Sequence, residues 1–522
     1  MSNTVNPVTQ NISSTNKPSA EKGTDSQSSK NESDISKNSK LRLAIITVKK
    51  NNKPSKLDVI VMLVKENTTL FYDKKGNGYV EVPVNNHKEI YPINSKSFQT
   101  YASNLYYSEI GSYPSKGLQK EAIHALSGIA TIEGNERAVY MRCAKLKNSY
   151  YIDLCRDDRQ VVEITPSGWN VINKSPVSFI RNENMRTLPL PIKGKSDLGR
   201  ITKNTNLFGD NLTLTLAFTI EAYRSDTPYA LLNLKGKKGT AKSTTQDFLR
   251  NLIDPNNQNL RSAPKNAEDI FVSAQNSHMY SLNNMSAIPK SQEDALCVLL
   301  TGGARFTDNI ENVYDVKSPV IMNGIDDITT ASDLADRLLN IELPILNTFI
   351  SEQVLKVQAQ QDAPVVFAGF MDLFSEILKE IKLNSSASRM VDFQVLGDAM
   401  VKTSTYKKLN LSSNFSKVYS DNKNQVKISL IESSPTALAL ITYLTASKKF
   451  EGRVGELLDA LVPLKNKGMS LPRSPRKLTG ELSNIASALE VIGINISHGN
   501  RTAKGSSITI TKTEAFSKYT NP

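Results

Sequence analysis

The 522-residue sequence predicts an α/β protein built from several folded units. The chain is longer than one hydrophobic core supports, since an ordinary domain holds roughly 100–200 residues. At its centre an apolar strand, Tyr229–Leu234, leads directly into the glycine-rich segment Gly236–Thr244 and then into a helix start. Near its end, three helical patterns are followed by a β-hairpin, an order typical of a winged helix.

Residues 1–40 are rich in Ser, Asn, Lys and Thr and contain no aromatic residue or apolar run. This composition predicts a disordered tail and lacks the pattern of a secretory signal. No apolar run in the chain approaches the roughly 20 residues of a membrane span, so we expect a soluble, cytoplasmic protein without membrane contact. The 3 cysteines form no C-x-x-C pair and the 4 histidines are scattered. These patterns predict neither a disulfide framework nor a structural metal.

Residues 41–195 are expected to form a small α/β domain, which ends in a Pro-rich linker at Leu188–Pro191. The candidate strands are Leu41–Val48, Val59–Val64, Ala138–Ala144, Ser149–Leu154 and Val161–Ile164. The candidate helices are Ser97–Tyr107 and Leu118–Ile129. The domain lacks a carboxylate set for polymerase metal chemistry, because its closest acids, Asp153, Asp157 and Asp158, sit with arginines in an expected turn.

Residues 196–365 carry the glycine-rich segment and are expected to form the central α/β core. Residues 366–435 read as a helical lid or connector, and residues 436–522 as the winged-helix domain. The role of the polar block Val354–Ala363, a helix or a loop, stays open at this point.

The segment Gly236–Thr244 fits G-x-x-x-x-A-K-S, with Ala241 where the usual phosphate loop has glycine. In such a loop the backbone N–H groups face phosphate oxygens, Lys242 contacts the β- and γ-phosphates, and the Ser243 hydroxyl binds Mg²⁺. The expected ATP contacts are Gly236, Gly239, Thr240, Ala241, Lys242, Ser243 and Thr244. The alternative is a glycine-rich turn with incidental lysines, which the preceding strand and following helix disfavour.

Further motifs follow the glycine-rich segment in a fixed order. They are Asn283–Asn284 after a strand, Asp294–Cys297 with Thr301–Gly303, Asn323 at a strand end, and Asp333–Arg337 followed by Ile341–Pro344. Together with G-x-x-G-x-x-K-S-T at the loop, they resemble the primase-helicase-like ATP-binding proteins of phages, plasmids and integrated elements. The resemblance implies a superfamily-three helicase core of the AAA+ ATPase class, which uses ATP and Mg²⁺ and assembles as a ring, typically a hexamer.

The resemblance calls for an aspartate where this chain has Asn283. That charge normally holds the magnesium and helps polarise the attacking water, so a neutral amide is expected to slow hydrolysis far more than it weakens binding. Asp294, Asp326 or Asp327 could supply the missing acid. The alternative for these three residues is helix capping or plain solvent exposure.

The resemblance also implies that Asn323 senses the γ-phosphate and that Arg337 reaches the nucleotide of a neighbouring subunit. The alternatives are a turn-forming Asn at a strand end and an arginine in an intrachain salt bridge. Arg305, within Thr301–Tyr314, is expected on a DNA-facing hairpin of the ring's channel.

Basic residues concentrate near the C-terminus of a chain whose formal net charge is +13. Arg473, Arg476 and Lys477 surround a helix start, and Arg501 and Lys504 lie in the hairpin tip. These positions suit contact with DNA phosphates, although a protein-docking winged helix with a solvated basic rim is the alternative.

Two functions follow from this sequence. The first is an ATP-dependent DNA helicase or translocase of mobile-element or phage-type replication, acting with DNA and with a primase or replication initiator. The second is an ATP-binding, hydrolysis-deficient DNA-binding accessory or regulator of replication, in which Asn283 has removed turnover.

Overall fold

The computed structural model of the protein describes residues 54–84, 87–306, 313–324, 332–346, 350–381, 389–464, 470–502 and 505–520. The predicted tail at residues 1–40 and the predicted strand Leu41–Val48 lie outside these ranges. So do Asp326, Asp327 and Lys504.

The N-terminal region begins with three helices around a four-stranded sheet of order β3-β2-β1-β4. The helices are α1 (Lys56–Asn67), α2 (Lys96–Ile110) and α3 (Lys116–Glu133). The strands are β1 (Thr69–Tyr72), β2 (Gly78–Val84), β3 (His87–Pro92) and β4 (Asn135–Glu136). The two predicted helices correspond to α2 and α3, each a few residues longer than expected.

The predicted strand Val59–Val64 is wrong, because these residues lie inside helix α1. Ser55 caps this helix in a reciprocal capping box with Asp58, which satisfies backbone donors of the first turn. The buried residues Ile60, Leu63 and Val64 recur at helical spacing. A run of apolar residues fits either period, so the cap and the packing decide the outcome.

The rest of the N-terminal region is an antiparallel four-stranded meander of order β6-β7-β8-β9 and a two-stranded pair, β5 with β10. The strands are β5 (Val139–Tyr140), β6 (Cys143–Leu146), β7 (Ser149–Asp153), β8 (Val161–Thr165), β9 (Gly168–Ile172) and β10 (Ser178–Phe179). The predicted strands at 149 and 161 are confirmed. The predicted strand Ala138–Ala144 is divided at Arg142, whose φ of 63° lies in the left-handed region.

The central sheet is wholly parallel and has the order β12-β15-β11-β16. Its strands are β11 (Leu231–Lys235), β12 (Tyr280–Met285), β15 (Val320–Gly324) and β16 (Leu338–Glu342). A hairpin of β13 (Gly303–Phe306) and β14 (Val313–Val316) lies outside this sheet. Two large hydrophobic clusters cover its two faces, as is usual for parallel sheets.

Helices of the central region surround this sheet, and a 29-residue helix follows it. They are α4 (Ile201–Asn204), α5 (Gly209–Ala222), α6 (Lys242–Ile253), α7 (Ala267–Ala274), α8 (Lys290–Thr301), α9 (Ser332–Ala335), α10 (Glu352–Glu380), α11 (Arg389–Met400), α12 (Ser404–Lys407) and α13 (Phe415–Ser433). The polar block Val354–Ala363 forms the first half of α10.

The C-terminal elements follow the predicted order of helices and hairpin. They are α14 (Pro435–Ala446), β17 (Lys449–Arg453), α15 (Val454–Leu461), α16 (Pro475–Val491), β18 (Ile494–Thr502), β19 (Gly505–Lys512) and α17 (Glu514–Thr520). Strand β17 was not expected, and it completes a three-stranded sheet of order β17-β19-β18.

Packing continues across the boundary predicted near residue 195. The indole Nε1 of Trp169 donates a hydrogen bond of 2.7 Å to Asp372 Oδ1 on α10. Ser375 Oγ, one turn later, donates to the carbonyl of Thr165 at 2.7 Å. The meander and the central region therefore share one hydrophobic cluster.

Candidate functional site

The segment Gly236–Thr244, the glycine loop, joins the carboxyl end of β11 to the start of α6. Gly236 has a φ of 146°, and a Cβ there would lie 2.8 Å from both the Leu343 carbonyl oxygen and Thr240 Oγ1. No side chain fits this position, so the loop requires glycine there. The loop lies at the carboxyl edge of a parallel sheet, where α/β folds bind their ligands.

Ala241, the residue that departs from the usual loop pattern, has a φ of 56° and a ψ of 31°. This left-handed conformation is costly for any residue with a Cβ, by roughly 1–2 kcal/mol. The loop therefore keeps the turn that a glycine would adopt and tolerates the strain of one methyl group.

Lys242 is the first residue of α6. Its Nζ donates to the carbonyls of Gly236 at 2.6 Å and Lys237 at 2.9 Å. Partial burial lowers the pKa of Lys242 below its ordinary value. The ammonium group is thus held over the loop at the amino end of a helix, where N–H groups and the helix dipole favour an anion.

Three predicted residues meet beside the loop. Ser243 Oγ donates to Asn283 Oδ1 at 2.9 Å, and Asn323 Nδ2 donates to the same oxygen at 2.7 Å. Asn323 Oδ1 accepts from the backbone N–H of Asn284 at 2.9 Å. The strand order makes this possible, because β15 lies between β11 and β12. The structure therefore brings together Ser243, Asn283 and Asn323, which lie far apart in sequence.

Gln246, which sequence reasoning missed, completes this amide network. It is fully buried on α6. Its Nε2 donates to Ser281 Oγ at 2.9 Å and to the Leu282 carbonyl at 2.8 Å, and its Oε1 accepts from Asn323 Nδ2. Its place one helical turn after Lys242 was the available signal, since that spacing puts both residues on one face.

Asn206 was also missed, and it supports the loop from the opposite side. Its Nδ2 donates to the carbonyls of Thr240 at 3.1 Å and Pro344 at 2.7 Å. Thr240 is buried, and its side chain donates to the Lys237 carbonyl at 3.0 Å. Thr244 is exposed. No sequence motif marks Asn206, because it lies 34 residues before Thr240.

Oxygen atoms for Mg²⁺ are present, but they are neutral. Ser243 Oγ and Asn283 Oδ1 lie 2.9 Å apart and suit a cation that also binds substrate phosphates. Among the described residues, no group of three His, Cys, Asp or Glu side chains is placed to hold a metal. Asp294 is exposed on α8 and forms no described hydrogen bond with Ser243 or Asn283. Ser243 and Asn283 would hold a magnesium ion only together with ligands that carry negative charge.

Arg337 lies at the opposite edge of the sheet. The register of β11 and β16 pairs Leu231 with Leu338 and Lys235 with Glu342, so Arg337 precedes the first pair. A five-residue strand is about 16 Å long, which is further than an arginine side chain reaches. Arg337 is therefore separated from the glycine loop of its own chain. Its Nε is buried without a hydrogen-bond partner among the described residues.

The residues predicted to contact DNA are only partly described. Arg473, Arg476 and Lys477 are exposed around the start of α16, where Ser474 caps the helix. None of these three basic residues forms an ion pair with a described residue. Arg305 lies on strand β13 of the β13–β14 hairpin and Arg501 lies on β18, but their side chains are outside the described part of the chain.

Two family models match the chain. Residues 200–416 match the model of an actinomycete integrative conjugative element replication protein, and residues 436–520 match the C-terminal domain of that replication protein. The chain is similar to a mobile-element replication protein. The first match includes the glycine loop, the amide network and Arg337, and the second includes the basic start of α16. No curated protein matches the chain.

Solved structures show a weak likeness. The A-form apo structure of the NrS-1 C-terminal region is 12% identical, with a TM-score of 0.36, over 88% of this chain and 100% of that chain. The JCV helicase is 12% identical, with a TM-score of 0.25, over 44% of this chain and 64% of that chain. These scores are too low to support an inference. Within the described residues, no helix has the length and apolar character needed to cross a membrane.

Proposed function

We propose that this chain is an ATP-dependent DNA helicase or translocase that acts in the replication of a mobile element. One observation carries the proposal: the glycine loop and the Ser243–Asn283–Asn323 group meet at the carboxyl edge of a parallel sheet. The similarity to a mobile-element replication protein supports a role in the replication of a mobile element. The arrangement of the site supports the use of ATP.

The central region is proposed to be a P-loop core of the AAA+ class that binds ATP with Mg²⁺. The strand order supports this assignment, because the strand bearing Asn323 lies between the loop strand and the strand bearing Asn283. In this arrangement Lys242 contacts the β- and γ-phosphates, and Asn323 faces the γ-phosphate. Mg²⁺, when bound beside Ser243, neutralises phosphate charge.

The proposed motor works as a ring of identical chains. Arg337 cannot contact its own glycine loop, so any action on a nucleotide must be on the loop of a neighbouring copy. Arg337 is partly exposed, and its Nε has no hydrogen-bond partner among the described residues. A hexamer and an interaction with a primase or replication initiator stay predictions.

The C-terminal elements are proposed to form a winged helix that binds DNA. Three helices, a strand and a hairpin follow in the order of that fold. Arg473, Arg476 and Lys477 cluster at the amino end of α16, where the helix dipole disfavours positive charge by a few tenths of a kcal/mol each. An anionic partner such as a DNA phosphate removes this disadvantage.

A second candidate function is favoured by the absence of an acid at Asn283. Ser243 Oγ meets an amide oxygen where a motor has a carboxylate, and this geometry supports nucleotide binding better than water activation. In that case the chain is an ATP-binding, hydrolysis-deficient DNA-binding accessory or regulator of replication.

DNA-stimulated phosphate release with Mg²⁺ and ATP separates the two candidates. The variants are Lys242→Ala, Asn283→Asp and, as a matched control, Lys238→Ala, which removes an exposed lysine of the same loop. Turnover that is lost in Lys242→Ala but kept in Lys238→Ala establishes a motor. Binding without turnover, with turnover gained in Asn283→Asp, establishes the accessory. A wild-type chain that binds no ATP overturns both.

A further inference from the structure

A cavity of about 610 Å³ lies between the N-terminal sheet and the segment that follows the meander. Strands β2 and β3 form one side, and residues 173–181 form another. Five cationic side chains line it: Lys88, Arg137, Arg159, Lys174 and Arg181. It is remote in sequence from the glycine loop and shares no lining residue with it.

Carboxylates hold several of these cations in place without neutralising all of them. Glu81 accepts from Lys88 and from Arg137 Nη1, the latter at 2.6 Å. Asp153 accepts from Arg181 Nε at 2.7 Å, and Glu89 accepts from Arg159. Five cationic groups against three carboxylates leave an excess of two positive charges around the cavity. The wall is therefore ordered and electropositive.

Arg159 carries the clearest sign of a missing anion. Its φ of 58° lies in the left-handed region, a conformation that surrounding structure must hold in place. Its Nη2 is bound to Glu89, but its Nε is buried and has no hydrogen-bond partner among the described residues. Lys174 is exposed at the rim and forms no ion pair within the described chain. The Arg159 Nε is shielded from the open space of the cavity, so it donates to a ligand only when the side chain turns toward that space.

We propose that this cavity binds the phosphate groups of a nucleotide, either free or within a single DNA strand. Guanidinium groups recognise phosphate through charge-assisted N–H donors. Arg137 and Arg159 lie in the wall and Lys174 lies at the rim, whereas Arg181 is bonded to Asp153 and to the Arg156 carbonyl. The cavity volume of about 610 Å³ lies within the roughly 300–1,000 Å³ range of small-ligand sites. The turn that contains Asp153 and Arg159 lacks the carboxylate set for polymerase metal chemistry, and under this proposal it contributes to phosphate binding.

The test uses the full chain with Lys242→Ala, Arg473→Gln, Arg476→Gln and Lys477→Gln, so that neither the glycine loop nor the basic start of α16 contributes. Fluorescently labelled ATP and a labelled single-stranded oligodeoxynucleotide are titrated separately. Arg159→Gln and Lys174→Gln are added to this background, and Lys120→Gln is the matched control because it removes an exposed lysine of the same region outside the cavity. Circular dichroism verifies the fold, and exposed Lys174 provides a variant with little risk of unfolding.

We expect Arg159→Gln to weaken binding of at least one probe about 10-fold, since it removes charged hydrogen bonds. Lys174→Gln should weaken binding about 3-fold, and Lys120→Gln less than 2-fold. Loss of ATP binding alone identifies a free nucleotide as the ligand, and loss of oligonucleotide binding alone identifies a DNA strand. The proposal is overturned if neither probe responds to Arg159→Gln and Lys174→Gln, or if Lys120→Gln has the same effect. ATP binding by the chain with intact Lys242 reports separately on the proposed motor.

Discussion

The two ends of helix α6 are held by opposite kinds of interaction. At its amino end, Ser243 and Gln246 join a network of neutral amides that leaves Lys242 over an open loop. At its carboxyl end, Asp254 is fully buried between two buried arginines. Arg142 Nε donates to Asp254 Oδ1 at 2.9 Å, and Arg250 lies 3.3 Å from Oδ2.

The two ends therefore differ in role. The amino end is suited to binding an anion, and the carboxyl end, the anchoring end, fixes the helix in the fold. Asp254 offsets one of the two buried arginine charges at the carboxyl end, and Arg142 connects the N-terminal region to α6 through its ion pair with Asp254. Among the described residues, no carboxylate forms an ion pair with Lys242 at the amino end, and the phosphates of a ligand would supply that counter-charge. The helix that carries Lys242 at one end is thus bonded to the N-terminal region at the other.

The largest expected effect is at the anchoring end. Asp254→Asn leaves two buried guanidinium groups without a counter-charge and should lower the free energy of unfolding by about 3–5 kcal/mol. Urea denaturation measures this change, with exposed Asp421→Asn on α13 as a control expected to stay within about 0.5 kcal/mol. If Asp254→Asn lowers the free energy of unfolding by less than about 1 kcal/mol, Asp254 does not anchor the helix.

The amide network should respond less strongly. Gln246→Leu leaves the partners at Ser281, Leu282 and Asn323 without their hydrogen bonds and should cost about 1–3 kcal/mol of stability. ATP affinity should fall as well, because Asn323 loses a contact that orients it. Thermal unfolding and ATP titration measure both effects. The same substitution at exposed Gln353 should change neither, and equal effects at both positions contradict a role for the network.

Glu221 is a second buried carboxylate, and unlike Asp254 it accepts no hydrogen bond from an arginine among the described residues. Burial alone would raise the pKa of Asp254, but Arg250 and Arg142 lower it to about 2. Burial raises the pKa of Glu221 to about 8, although the Ala230 backbone N–H donates to it at 2.7 Å. Because the folded-state pKa of Glu221 is raised, its contribution to stability is full below about 4.5 and is lost as the pH rises toward 8.

Glu221→Gln keeps the acceptor for Ala230 and removes this titration. The stability of the variant relative to wild type should rise by roughly 1 kcal/mol per pH unit between pH 5 and pH 8. Denaturation curves across that range measure the slope. Parallel pH profiles for the two proteins would show that Glu221 is not buried in its neutral form.

The smallest expected effect is in the glycine loop. Ala241→Gly relieves the left-handed strain of a φ of 56°, and the greater entropy of glycine in the unfolded chain offsets part of the gain. We expect a net stabilisation below about 1 kcal/mol and unchanged ATP affinity. Ala241→Val should act in the opposite direction. Differential scanning calorimetry compares the three proteins. If the Ala241→Gly protein is less stable than the wild type, the left-handed conformation of Ala241 is not strained.

The sequence by itself determined the features that depend on local order. The strand, glycine loop and helix start are contiguous, so period and composition were enough to place β11 and α6. The C-terminal helices and hairpin were placed for the same reason. Local signals failed at Val59–Val64, because consecutive apolar residues satisfy the helical and the strand period alike.

Only the tertiary structure decided which distant residues meet. The order β12-β15-β11-β16 brings Asn283 and Asn323 to Ser243, and no local pattern encodes the order of parallel strands. Arg142 and Asp254 are 112 residues apart, and each looks like an ordinary surface charge in the sequence. Burial gives them their roles, because a charge removed from water must find its partner within the fold.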